Sequence, residues 1–283
     1  MYQQHFGFER MPFEESAAAA GYVDLPARAT AADALRRLLE SGSRVIRVCG
    51  APGVGKTALY HHVRHAFGRE PFGFASGPSG SPECPRPDAE SNVAVVPTGG
   101  AAIVFFDDAQ ALSPDRLERL RALAGEGGRS DSTIRLVLFG RPELDDRREG
   151  ATNASAGTPD ARIELDPLDR KTCRLYIRGR LEQAGAPNPL LFTPSAIDRI
   201  HRASGGLPRL INRLCHESLA AAHADKEFQV GRRHVARALI ESKGASGCTD
   251  GWQRRPLVHH PRLETDESAI RNREWKNLPG RPG

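Results

Sequence analysis

The octapeptide Gly50-Ala51-Pro52-Gly53-Val54-Gly55-Lys56-Thr57 constrains this chain more than any other feature. It meets the spacing G-x-x-x-x-G-K-[ST] in full, between an apolar stretch, Arg44-Val-Ile-Arg-Val-Cys49, and an amphipathic one running from Ala58 to Phe67. Strand, glycine loop, helix is the context in which such a loop works. Glycines let the backbone curl so that successive N–H groups aim at phosphate oxygens, and the next helix adds the positive end of its dipole. Residues 50–58 are therefore expected to cradle a nucleoside triphosphate, ATP with Mg2+, with Lys56 on the β- and γ-phosphates and the Thr57 hydroxyl on the metal.

A second apolar run, Ala101-Ala-Ile-Val-Phe-Phe106, has the character of a strand buried on both faces of a parallel sheet, and it ends in Asp107-Asp108. Downstream of a complete phosphate loop, Asp107 is expected to act as a Walker B carboxylate holding Mg2+ through its water shell. Asp108 is expected to be the general base that orients the attacking water.

Around these motifs the pattern alternates between strand and helix. Thr30-Ala-Ala-Asp33 has a capping-box-like spacing ahead of Leu35, Leu38 and Leu39, which predicts a helix before the first strand. Ser113-Pro114 predicts another, stopping near Gly125, and Ile134–Phe139 and Ile163 with Leu165 read as further strands. The Pro-, Gly- and Ser-dense stretch 71–100 reads as largely irregular, with Val93–Val96 its one short strand-like run. Past Pro167 only helical spacing remains, over Leu175–Leu181, Ser195–Ala203, Pro208–Ala222 and Arg232–Glu241. The expected organisation is an α/β P-loop NTPase core of three layers with a parallel sheet over 1–166, a small all-helical lid over 167–242, and a basic, disordered tail over 243–283.

Composition narrows the setting. At 283 residues with 39% hydrophobic content the chain can bury such a core. No run approaches the ~18 apolar residues of a membrane span, and the N-terminus lacks the apolar region of a signal peptide, so a cytoplasmic protein is expected. The five cysteines are scattered and suggest neither zinc nor disulfides. A net charge of +5 and a pI near 9.1 permit contact with nucleic acid, although a basic exterior alone is weak evidence for it.

Several segments in the right order resemble the AAA+ ATPases of the general secretion pathway protein A (ExeA-like) family. Met1-Tyr2, His5–Phe8 and Pro12-Phe13 are similar to its opening, Phe105–Ser113 to its Walker B strand and exit, Leu138–Leu144 to its sensor 1 turn, and Ser204–Asn212 to its sensor 2 helix. The resemblance implies that Arg209 reaches the γ-phosphate from the lid, as a guanidinium with fixed bidentate donors can. It implies that Arg141 stands at the sensor 1 position, beside phosphate or exposed, and that Phe8 and Phe13 line the adenine pocket. Homo-oligomerisation, a protein partner in a secretion or envelope complex, and coupling of ATP hydrolysis to assembly or remodelling of that partner are implied in the same way.

The chain also departs from the family pattern. Asp108 stands where the family carries Glu, so a shorter arm must hold the water and turnover is expected to be slow. The arginine-bearing segment before the last strand is replaced by Gly150–Pro159, leaving Arg147, Arg148 and Arg162 as the nearest candidates for a charge supplied to a neighbouring subunit. Two alternatives stand beside the secretion-type reading: a transposition-type ATPase on duplex DNA, and a nucleotide-bound scaffold with little turnover. The tail, with Trp252, Arg254, Arg255, Arg271, Arg273 and Trp275, is a further candidate surface for bases or a partner.

Overall fold

A computed structural model describes residues 2–14, 22–67, 93–98, 101–125, 133–142 and 160–245. The features expected in the tail, at Arg147 and Arg148, and at Cys84 and Cys248 lie outside the described residues. The elements run α1 (Tyr2–Phe6), α2 (Pro26–Glu40), β1 (Val45–Gly50), α3 (Lys56–Phe67), β2 (Val93–Thr98), β3 (Ala101–Phe106), α4 (Pro114–Gly125), β4 (Thr133–Gly140), β5 (Asp160–Leu165), then α5 (Arg170–Gln183), α6 (Pro194–Ser204), α7 (Pro208–Ala224) and α8 (Arg232–Ala245).

The strands form one sheet in the order β2-β3-β4-β1-β5, in which β3, β4, β1 and β5 are parallel. β2 is the exception and pairs antiparallel with β3. The reason is chain length: Thr98 lies opposite Ala101, and the two residues between them are far too few for the crossover that a parallel pair requires. As the edge strand, β2 also tolerates Pro97, whose missing N–H would break a central ladder.

Strand side chains alternate between two apolar layers. Ile46, Val48, Ile103, Phe105, Val137, Phe139, Ile163 and Leu165 face Leu35 and Leu39 of α2 and Leu59 and Val63 of α3. Val45, Val104, Phe106, Leu136 and Leu138 face Leu117 and Leu120 of α4. Burial on both faces explains why β3 reads as a continuous apolar run and why β1 and β4 are apolar apart from Arg47 and Arg135.

α2 begins five residues earlier than an N-cap at Thr30 predicts. Pro26 opens it at the first helical position, Leu25 makes no side-chain cap, and the Thr30 hydroxyl donates back to Pro26 O at 2.9 Å from inside the helix. The preset φ of proline does the work expected of a hydroxyl cap.

A third apolar cluster unites α5 to α8 with the start of the chain. Tyr2, Phe6, Phe8 and Phe13 are buried among Cys173, Ile177, Leu181, Ile197, Leu214 and Leu219. Arg180 secures the N-terminal segment by donating to Pro12 O at 2.7 Å and Glu14 O at 2.9 Å. Phe8 and Phe13 are thus core anchors of the helical part, with Phe13 edge-on to Phe192 at 6.0 Å. Cys49, Cys173 and Cys215 are buried free thiols.

Candidate functional site

Parallel pairing brings the carboxyl ends of β1, β3 and β4 to one edge of the sheet, with Cys49 opposite Gly140 and Phe106 opposite Leu138. The segments leaving these strands therefore meet at that edge, where open α/β sheets carry their ligand crevice. After β1 comes the loop 51–55, after β3 Asp107-Asp108, and after β4 Arg141.

The loop is shaped by two glycines in conformations that L residues rarely adopt, Gly53 at φ +77° and Gly55 at φ +102°. Gly50 is required for a different reason. A Cβ there would lie 2.8 Å from Leu165 O and 2.9 Å from a Val54 methyl, so a larger residue could not pass between β5 and the loop. Val54 is fully buried and pins the loop to the core, while Thr57 and Ala58 are exposed at the first turn of α3.

Lys56 folds back over the loop, its Nζ donating to Gly50 O at 2.8 Å and Ala51 O at 3.0 Å. Burial pushes its pKa below the ordinary lysine value. Asp107 and Asp108 pull it back up and Arg141 pushes it further down, so all three lie near enough to act on Lys56.

Asp107 is buried at the end of β3, and burial raises its pKa above the ordinary aspartate value. Hydrogen bonds from the Thr57 hydroxyl and from the Asp108 N–H, at 3.0 Å to Oδ1, oppose that shift. A hydroxyl and a carboxylate brought together form an all-oxygen donor set of the kind that hard cations take, and it fits Mg2+ held by few protein ligands and its own waters.

Asp108 is exposed and sits in the left-handed region, φ 54° and ψ 42°, which aspartate tolerates better than most side chains. Gln110 steadies it: Gln110 Nε2 donates to Asp108 Oδ1 at 2.9 Å, and Gln110 Oε1 accepts from the Arg141 N–H at 3.2 Å. Because a backbone N–H can only donate, that contact decides which end of the amide faces Asp108. Gln110 thereby ties the exits of β3 and β4 together.

The lid reaches the loop through the start of α7. Arg209 is exposed, and its backbone N–H donates to Gly53 O at 3.2 Å. Gly205 and Gly206, both with positive φ, make the turn that delivers it. Leu168 N–H donates to Gly206 O at 2.9 Å, which joins the lid turn to the segment leaving β5.

The structure thus gathers Lys56, Thr57, Asp107, Asp108, Arg141 and Arg209 at the sheet edge. Arg162 lies on β5, exposed and 3.4 Å from Glu164. Two residues near the site carried no expectation from sequence. One is Gln110. The other is Arg28 of α2, which is buried and donates through Nη2 to Val54 O of the loop. A clue to Arg28 was present, since a cation in the first turn of a helix opposes the helix dipole.

Comparison with solved structures finds the same arrangement of elements elsewhere. Drosophila ORC bound to DNA matches 88% of this chain and 69% of its own with a TM-score of 0.56 at 16% identity. The Aeropyrum pernix ORC2 protein, in its ADPNP-ADP complexes, matches 85% of this chain and 73% of its own with a TM-score of 0.53 at 18% identity. General secretion pathway protein A of Aeromonas hydrophila is 37% identical over 147 residues, or 52% of this chain. The chain is similar to that protein over this stretch. It spans 27% of the relative's length. No protein-family model matches the chain. The fold shared with these structures accounts for the parallel strands, the loop after the first core strand and the C-terminal helices. No helix among the described residues is long and apolar enough to cross a membrane.

Proposed function

We propose that this chain binds Mg·ATP and hydrolyses it, slowly, as a cytoplasmic homo-oligomer that couples nucleotide state to assembly or remodelling of a partner complex in secretion or envelope biogenesis. The observation that carries the reading is the meeting of Lys56, the Thr57–Asp107 pair and Asp108 at one sheet edge, beside a loop whose glycines suit a phosphate. The core, 1–166, binds the nucleotide, and the lid, 167–242, senses it.

Each side chain has a task that its position suits. The loop amides and Lys56 hold the β- and γ-phosphates, for which the Lys56 ammonium leaves the Gly50 and Ala51 carbonyls. Thr57, and Asp107 through the ion's water shell, would hold Mg2+, which would supply positive charge beside the phosphate oxygens. Asp108 accepts a proton from water as the water oxygen bonds to the γ-phosphorus, and the bond to the bridging oxygen breaks to release ADP. Arg209 and Arg141 stabilise the charge that develops on the γ-phosphate. Arg162, Arg147 and Arg148 are the candidates for a charge supplied to the neighbouring subunit.

A second reading, an ATPase that acts on duplex DNA, is favoured by the net charge of +5. The test of both is ATP turnover by the purified chain with and without duplex DNA. Magnesium-dependent turnover unaffected by DNA supports the secretion-type reading, and turnover that rises with DNA and is lost with salt supports the second. ATP binding without turnover contradicts both and leaves a nucleotide-bound scaffold.

A further inference from the structure

We infer that Arg28 is a positioning residue for the phosphate loop, holding the Val54–Gly55 peptide so that the Gly55 N–H is preset to donate to a phosphate oxygen. This role rests on the nucleotide reading above and falls to a residue that the loop motif does not contain.

The geometry of the peptide plane comes first. No cis bond occurs among the described residues, so the Val54 C=O and the Gly55 N–H point in opposite directions. Arg28 donates to Val54 O from the α2 side, which fixes the carbonyl there and turns the Gly55 N–H away from α2. Gly55 itself, at φ +102°, lies in a region with little intrinsic preference to hold that orientation. Without the guanidinium the plane is free to rotate and to present a carbonyl where the phosphate needs a donor. An oxygen facing a phosphate repels it, so the cost is larger than that of one missing hydrogen bond.

Arg28 sits in an unfavourable place for a charge, which is the sign of a task. Its side chain is buried, and burial pushes its pKa down, which the neighbouring Tyr22, Asp166 and Tyr176 oppose. The first turn of α2 carries no acidic residue to answer it. A buried guanidinium is costly unless its donors are used. The carbonyl it meets belongs to the loop, 26 residues along the chain. Arg28 also lines the cleft beside Asp166, Asp169 and Thr172 where β5 passes into α5, so a role in holding the base is the competing explanation.

Pyrophosphate separates the two, because it occupies the loop and has no base. Binding of Mg·ATP and of Mg·pyrophosphate to the full chain is measured by calorimetry for the wild type, Arg28→Met and Arg28→Lys, with the thermal midpoint of each. The expected result is that Arg28→Met weakens both ligands by the same factor, about tenfold to a hundredfold. Arg28→Lys, which keeps a cationic donor, is expected to recover binding of both in part, which covers the case in which Arg28→Met does not fold. Pyrophosphate affinity equal to wild type in folded Arg28→Met, or in Arg28→Lys should only that variant fold, overturns the inference. If ATP alone weakens, Arg28 serves the base instead. Wild-type protein that binds neither ligand overturns the nucleotide reading, and this inference falls with it.

Discussion

Arg209 and Gly53 join the C-terminal helices to the loop after β1: the N–H of Arg209, in the first turn of α7, donates to Gly53 O at 3.2 Å. The approach is close enough that a Cβ on Gly53 would lie 2.9 Å from the Cβ of Arg209. Gly53 therefore serves twice, by its positive φ and by leaving room for the lid. Gly53→Ala is expected to displace α7 from the loop and weaken nucleotide binding at least tenfold, since strain of about 1–3 kcal/mol adds to the lost contact. Calorimetry with Mg·ATP checks it, with circular dichroism to establish that the variant is folded.

Lys56→Ala removes the ammonium that spans Gly50 O and Ala51 O and that is proposed to move to phosphate. Charge-assisted hydrogen bonds contribute about 1.5–3 kcal/mol, so binding is expected to weaken by tenfold to a hundredfold or more. The fold should persist because Lys56 contacts only the loop it serves in those two bonds. Titration calorimetry and a melting curve test the two halves separately.

Asp108→Asn is expected to leave ATP binding within a few-fold of wild type and to cut hydrolysis by about 10²–10⁴. Gln110→Ala should lower turnover by a smaller factor, because it releases both Asp108 Oδ1 and the Arg141 backbone without removing the base. Steady-state phosphate release measures both. Asp108→Asn that turns over at the wild-type rate would refute the assignment of the base.

The pKa of Asp107, raised chiefly by burial, predicts an acid limb in magnesium-dependent binding. A carboxyl whose folded pKa lies above its unfolded value binds protons more readily in the native state, so its contribution to stability falls as pH rises through that window. Metal requires the ionised form, so Mg·ATP affinity should decline on acidification from a pH above the ordinary aspartate value of 3.8. Calorimetry between about pH 8 and pH 4.5 should show the limb, and Asp107→Asn should abolish it.

Gly206 and Gly205 share a turn and differ in space. A Cβ on Gly206 would meet Leu168 O at 2.1 Å at φ +77°, whereas nothing lies within 4 Å of one on Gly205 at φ +59°. Gly206→Ala should destabilise the fold by roughly 3 kcal/mol or more and Gly205→Ala by about 1 kcal/mol. Chemical denaturation gives both values.

Much of the fold was legible because its signals are local. β3 announces itself as an unbroken apolar run, and β1 and β4 as apolar runs with one arginine each, since both faces of a parallel sheet are covered, and the loop motif is contiguous. The direction of β2 was not, although the short span between Thr98 and Ala101 excludes a parallel pair once both strands are accepted. Tyr2 to Phe13 are rich in aromatics, but no local rule places them in the bundle of α5 to α8. Arg28 and Gln110 escaped for the same reason. Each acts across tertiary space, Arg28 on a carbonyl 26 residues away and Gln110 on an amide 31 residues away, and residue type alone does not specify such pairs.

The main chain of residues 50–57, with Lys56 and Thr57, is proposed to receive a triphosphate. Isothermal titration of the folded chain with Mg·ATP tests it most directly. The predicted result is saturable binding with a Kd in the micromolar range, on the order of −8 kcal/mol, that Lys56→Ala weakens by about tenfold to a hundredfold or more. Absence of heat at millimolar Mg·ATP and Mg·GTP, with protein that melts cooperatively, would contradict it.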